Sequence, residues 1–225
     1  MAYQMIHMEI VYRLLQILPG IMHPAEFMVG SVAPDSVHMR SDFGIAMKVK
    51  SHLFDGCGPW GDTQDYVRWL SNMEAFWRAN GTYAKGQEKS YLAGIYVHCL
   101  TDYCNDLYIW RKLQRQYAPP METEEFRTDF YHEARGIDQW LFQNSPHTKE
   151  IVRLFRAGSC MTVLDLIDKK DVEKQKEYML GVQYPGEVPN LCGYKYLSAE
   201  FLETFLNKTV EYIASVVAQL VNEKR

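Results

Sequence analysis

The chain has 225 residues, of which 47% are hydrophobic, 13% aromatic and 23% charged, and its formal net charge is −4. That much apolar material can build one sizeable core, and it excludes a disordered chain. The mildly acidic balance offers no electrostatic footprint for an anionic polymer, so no nucleic acid is expected as a partner.

Apolar residues recur at helical spacing along most of the sequence, which predicts an all-α fold in a single compact domain over residues 1–225. The first helix is expected from Met5 to Leu18, with Ile6, Ile10, Leu14 and Ile17 at its periodic positions and a stop at Pro19-Gly20. A short helix follows from Pro24 to Val32. From Asp35 to Gly61 no period persists, and this stretch reads as a long irregular loop of the kind that carries function. Helical patterning resumes at Asp62 or Thr63, both plausible caps, and runs to Asn80-Gly81. A long helix is then expected over Gln87 to Gln116, ending before Pro119-Pro120, and another over Glu122 to Phe142. Ser145-Pro146 signals the start of a helix reaching Arg156. Helices over Met161 to Leu180 and Ser198 to Asn222, separated by a Pro- and Gly-rich loop at Tyr184 to Gly193, complete the chain.

The five cysteines, Cys57, Cys99, Cys104, Cys160 and Cys192, are odd in number and contain no Cys-x-x-Cys pair. Neither a disulfide framework nor a thiolate zinc finger is implied. No secretory signal is visible and no apolar run approaches the roughly 20 residues of a membrane span, so a cytoplasmic location without a transmembrane segment is the expectation. Gly56-Cys-Gly58-Pro-Trp-Gly61 satisfies G-x-G-x-x-G literally, but it follows no strand and contains Pro59, so it is not read as a dinucleotide site. Trp69, Trp77, Trp110 and Trp140 are expected to pack helices.

His98 and Asp102 lie four apart in a strongly helical, apolar segment, which places both on one helix face. A neutral imidazole and a carboxylate so arranged can share a divalent metal, although an ordinary hydrogen bond has the same spacing. His7 in the first helix, Asp35 directly after Ala33-Pro34 and His52 in the irregular loop each have a bland reading. Together with the helical pair they supply three imidazoles and two carboxylates, a donor set suited to zinc and related divalent ions.

Four ordered blocks carry a resemblance: Ile6-His7, Val29-Gly-Ser-Val-Ala-Pro-Asp35-Ser36, Lys50-Ser-His52-Leu-Phe and Gly94-Ile-Tyr-Val-His98-Cys-Leu-Thr-Asp102. They resemble the bacterial zinc-dependent phospholipase C family, and within it the short intracellular members, over about residues 2–110. The family shares its all-helical fold with the fungal single-strand nucleases. The resemblance implies that Asp35, His52, His98 and Asp102 hold a first zinc, that Asp102 bridges to a second, and that His7 binds that second ion. In the nucleases the second ion is also held by the amine and carbonyl of a residue five before this histidine, which here is Ala2.

Two departures from the pattern matter. The family's remaining zinc uses a histidine ten residues after the position of His98, where this chain has Tyr108. It also uses a downstream His-x-x-x-Glu pair, whose nearest counterparts are Asp129 and Glu133, with His132 beside them and Asp138 further along. These carboxylates are candidates for a metal or for a solvated acidic face. One or two ions, zinc or another divalent metal, are therefore expected instead of three. The implied activity is hydrolysis of a small phosphoester, such as a phosphodiester or phospholipid head group, by metal-activated water. Asp35 is the carboxylate expected to orient or deprotonate the water, and Asp102 the one expected to hold the metals together. Lys48 or Lys50 could contact phosphate, against the commoner reading of solvated loop lysines. The competing expectation is a metal-binding protein with a structural or regulatory role and no turnover, which the tyrosine at position 108 favours. A single-strand nuclease is disfavoured by the acidic charge and the lack of a basic, aromatic-interleaved groove.

Overall fold

The structure is a computed structural model that describes residues 3–117 and 124–222. Ala2 and the expected stop at Pro119-Pro120 lie outside the described residues. Within them the fold is all-α, with no strand and one isolated bridge between Val163 and Ile167. No helix among the described residues is long and apolar enough to cross a membrane.

Helix α1 (Gln4–Ile17) ends where Leu18 N–H closes on the Leu14 carbonyl, just before Pro19-Gly20. Every residue from Met5 to Val11 is buried, so α1 lies inside the molecule instead of on its surface. Helix α2 (Pro24–Gly30) starts with proline at its first position, where the missing N–H costs nothing. Helix α5 (Gly86–Asn105) is buried without interruption from Ser90 to Asp102. Fully buried side chains such as Phe27, Ile95 and Leu100 contribute about 1.5–3 kcal/mol each by leaving water. Helices α2 and α5 meet at Gly30 and Gly94, where a methyl group on Gly94 would sit 2.8 Å from Gly30 Cα. Only two residues without side chains allow the backbones so close.

The stretch from Asp35 to Gly61 is less irregular than its sequence suggests. A 3₁₀ turn covers Ala33–Met39 and a short helix, α3, covers Ile45–Ser51. Both are too short to register as a hydrophobic period. After α3 the chain reverses through Leu53, whose φ of +57° is unusual for leucine. Trp69 Nε1–H donates to the His52 carbonyl at 2.9 Å and Asn72 Nδ2 to the Leu53 carbonyl at 3.0 Å, which holds this strained reversal in place.

Helix α4 (Tyr66–Phe76) begins later than expected, because Asp65 is the residue that accepts the Arg68 N–H and caps it. The expected helix to Gln116 is interrupted by one π-helical turn at Asp106–Trp110 before α6 (Arg111–Tyr117). Helix α7 (Glu124–Asn144) is followed by α8 (Thr148–Ala157), which starts three residues after Ser145. The expected helix from Met161 does not begin until Lys169, as α9 (Lys169–Tyr178). Leu164 and Asp165, both at positive φ, make a tight reversal first, and Asp168 caps α9 by accepting the Lys170 N–H. The chain closes with α10 (Ala199–Asn222). Cys99 and Cys104 are buried free thiols, as expected of core cysteines. Trp69 and Trp77 are buried, while Trp110 and Trp140 pack at the edge of the core.

Candidate metal centre

Three histidines and two carboxylates from four separate segments converge in the core. His7 comes from α1, Asp35 from the 3₁₀ turn, His52 from the residue that ends α3, and His98 with Asp102 from α5. All five are buried, with Asp35 the most exposed at 5%. The two positions one helical turn apart on α5 form the floor, as their spacing requires.

The hydrogen bonds around the rings decide which nitrogen carries the proton. His98 Nδ1 lies 2.7 Å from the Ser31 carbonyl, and His52 Nδ1 lies 3.0 Å from the Lys48 carbonyl. A carbonyl only accepts, so His98 Nδ1 donates. His52 Nδ1 has two partners, the Lys48 carbonyl, to which it can donate, and the Ser51 hydroxyl at 2.9 Å, from which it can accept. When both Nδ1 atoms donate, each neutral ring keeps a lone pair on Nε2, and the two Nε2 atoms face each other at 3.1 Å. His52 Nε2 also lies 3.3 Å from Asp35 Oδ1 and 3.4 Å from Asp102 Oδ2. In that tautomer acceptors point at acceptors among buried side chains, an arrangement that is costly unless a cation belongs there.

The spacing of these atoms suits a tetrahedral ion. With metal–nitrogen bonds of about 2.0–2.1 Å, the edge between two tetrahedral ligands is about 3.3–3.4 Å. The separations of 3.1, 3.3 and 3.4 Å lie close to that value. His98 Nε2 to Asp102 Oδ2 is longer, at 3.9 Å. His7 stacks on His98 with ring centroids 3.9 Å apart, and its Nε2 lies 3.5 Å from Asp102 Oδ1. Neither His7 nitrogen makes a hydrogen bond. Two overlapping sets of donors, His7–Asp35–His98 and His52–His98–Asp102, each lie within 4.8 Å and share His98.

The electrostatics follow from burial and from one lysine. Burial pushes the His98 imidazole well below its ordinary pKa, with His7 adding to the effect, so a proton on His98 Nε2 does not resolve the crowding. Burial alone would raise the Asp35 carboxyl, but the Lys48 ammonium and then the His52 contact hold it well below the usual carboxylate range. Burial would likewise raise Asp102; the contact with His7, then His98 and His52, brings it below its ordinary value.

Lys48 is the residue that the sequence undersold. Its Nζ donates to Asp35 Oδ1 at 3.1 Å, lies 2.8 Å from His38 Nε2, and sits 5.5 Å from the Trp60 ring centroid. Lysine in a stretch without helical period reads as solvated, and Lys50 is indeed exposed. Only the short α3 turns Lys48 inward. The cluster meets a cavity of about 80 Å³ through Asp102, which lines it together with Trp60, Asp106, Trp110, Phe130 and Tyr131.

The candidates on α7 are engaged elsewhere. Glu133 accepts three backbone N–H groups, from Lys195 at 2.6 Å, Tyr196 at 2.8 Å and Leu197 at 3.1 Å, which ties α7 to the start of α10. Asp129 pairs with Lys195 Nζ at 3.0 Å near the surface. Tyr108 is 37% exposed. The carboxylate of α7 that does approach α1 is Asp138, which accepts from Ile6 N–H at 3.0 Å and from the Tyr184 hydroxyl at 2.8 Å.

Compared with known proteins, the chain matches no family model, no curated protein sequence and no solved structure.

Proposed function

We propose that this protein is a divalent-metal-dependent phosphoester hydrolase, with zinc as the favoured ion and a phosphodiester or phospholipid head group as the substrate class. The observation that carries the reading is the convergence of His52 Nε2 and His98 Nε2 on each other and on two carboxylates, with His98 Nδ1 tied back by the Ser31 carbonyl. That donor set, of imidazole nitrogen and carboxylate oxygen, suits zinc. The resemblance of the four sequence blocks to the zinc-dependent phospholipase C family supports the choice of phosphoester chemistry.

His52, His98 and Asp102 would hold the ion, with His7 and Asp35 at its margin. Such an ion supplies Lewis acidity and a bound water of lowered pKa. Ser31 and Lys48 carbonyls keep the two imidazoles in the metal-binding tautomer, the role that outer partners play at zinc sites. Asp35 Oδ2 has only a long contact to Gln4 Nε2, at 3.5 Å, and is the oxygen left to accept a proton from water. Because Asp35 is held well below the usual carboxylate range, orienting the water suits it better than carrying its proton. The aromatic walls around Asp102 exclude bulk solvent and strengthen every charge interaction inside.

A second reading, a metal-binding protein without turnover, draws on the engagement of Glu133 and Asp129 in contacts that hold α7 to the residues before α10. One experiment separates the two. Bound metal is measured by elemental analysis, and hydrolysis of bis-p-nitrophenyl phosphate is compared for wild type and Asp102→Asn. Hydrolysis that disappears with Asp102→Asn supports the enzyme. Stoichiometric metal without Asp102-dependent turnover across several phosphodiesters favours the second reading, and absence of metal from both proteins refutes both.

A further inference from the structure

Counting charges around the cluster points to an unusual role for Lys48. The carboxylates within 4.0 Å of the converging imidazoles are Asp35 and Asp102, two negative charges, and a histidine that ligates a metal through Nε2 does so as the neutral ring. Lys48 already supplies one positive charge, anchored on Asp35 at 3.1 Å and 4% exposed. One divalent ion therefore brings the site to a single net positive charge, which suits a phosphodiester anion. A second ion would raise it to three positive charges, while the carboxylates further out are engaged, Asp106 by the Tyr66 hydroxyl and Asp138 by Ile6 N–H and the Tyr184 hydroxyl. The two candidate donor sets also overlap at His98, so a second ion would have to share that residue with the first.

We infer that Lys48 takes the place of a second metal: the site holds one divalent ion, and the Lys48 ammonium grips the phosphoryl oxygen that a second ion would hold. Two-ion phosphoesterases place a cation on each side of the transferring group. An ammonium is a compact point charge with three donors, and it binds phosphate in that manner. Two of the Lys48 contacts here are to Asp35 Oδ1 and His38 Nε2. His38 Nε2 accepts from the ammonium as a neutral ring. Trp60 lies over the same nitrogen and beside the cavity that leads to Asp102, so Lys48 stands near the route by which a substrate enters.

This inference rests on the metal reading, and the test separates the two. Wild-type protein is stripped with chelator and titrated with zinc, and the ions retained per chain are counted. Inorganic phosphate binding to the zinc-loaded protein is then measured for wild type and Lys48→Met by calorimetry. One zinc per wild-type chain, with phosphate bound at least roughly tenfold more weakly by Lys48→Met at unchanged zinc content, is the expected result. Two zinc ions per wild-type chain, or phosphate affinity unchanged in Lys48→Met, overturns the role of Lys48 while leaving a metal site. No zinc in the wild type removes the metal reading and this one with it. The wild-type count needs no variant, so the inference stays open to refutation even if Lys48→Met fails to fold.

Discussion

Two faces of the same helix carry buried histidine–carboxylate clusters, and they differ in one respect that decides what each is for. On one face of α1, Glu9 is 0% exposed and its oxygens receive Arg13 Nε at 2.9 Å, Ser145 Oγ at 2.8 Å and His147 Nδ1 at 2.8 Å. Donors meet acceptors throughout. Two residues away, His7 points to the other cluster, where acceptors meet acceptors and neither of its nitrogens has a hydrogen bond. The Glu9 cluster is complete in the protein alone and clamps α1 to the turn before α8. The His7 side lacks that balance, and it is there that a metal ion is proposed. The Glu9 cluster is the more open, with the Arg13 side chain 20% and that of His147 34% exposed, yet both join histidine to a buried carboxylate; what separates them is the balance of donors and acceptors.

The sharpest way to break this contrast is Glu9→Ala. Hydrogen bonds to a charged group contribute about 1.5–3 kcal/mol each, and Glu9→Ala removes three of them while Arg13 keeps Glu203 at 2.7 Å, so the variant is expected to lose about 3–5 kcal/mol in chemical denaturation. A loss below about 1 kcal/mol would show that the clamp is not structural. Next in size is the effect of zinc. At a free concentration a hundredfold above its dissociation constant, a ligand specific to the folded state adds about 2.7 kcal/mol, or about 5–11 °C in Tm for a chain of this size. That increment should vanish in Asp102→Asn and survive in Glu9→Ala from a lower baseline. Survival in Asp102→Asn would dissolve the distinction between the two faces.

Asp138 provides the smallest and finest test, because it lies between the extremes, with two donors on one carboxylate and no cation. Burial raises its pKa from 3.8 to about 7, against the lowering effect of Tyr184 and the Ile6 N–H. The folded state therefore holds a proton that the unfolded state has lost. A group with a raised folded pKa contributes its full stability below the unfolded value and loses it as pH climbs through the folded one. Stability is expected to fall by about 1.4 kcal/mol between about pH 6 and pH 8, and Asp138→Asn should flatten that limb. A limb of the same slope in the variant would place the proton elsewhere.

Much of this was visible in the residues, and what was hidden was hidden for physical reasons. Helix α1 and its stop at Pro19-Gly20 followed from period and breakers, and the His98–Asp102 pair from helical spacing. Helix α3 escaped because seven residues are too few to show a period, and with it went the burial of Lys48. The reversal at Leu164 and Asp165 is hidden because leucine gives no turn signal at positive φ and a single aspartate is too weak a one to interrupt a helical pattern. The convergence of His7, Asp35 and His52 is a tertiary fact that four ordered blocks could only hint at. Least legible of all were the Ser31 and Lys48 carbonyls, since every residue has one and side-chain identity says nothing about where it points.

The contact between Gly30 and Gly94 has a chemical consequence beyond packing. Ser31 follows Gly30 directly and His98 sits one turn beyond Gly94, so the close approach of the two backbones is what brings the Ser31 carbonyl within 2.7 Å of His98 Nδ1. The tautomer of the ring is thus set by interhelical distance, through two residues that touch no ligand. Engineering this site by varying the side chains around His98 leaves that control untouched. A spacer as small as one methyl group at position 94 would act like a dial on proton placement, altering the affinity of the site for cations while leaving its full complement of ligands in the sequence.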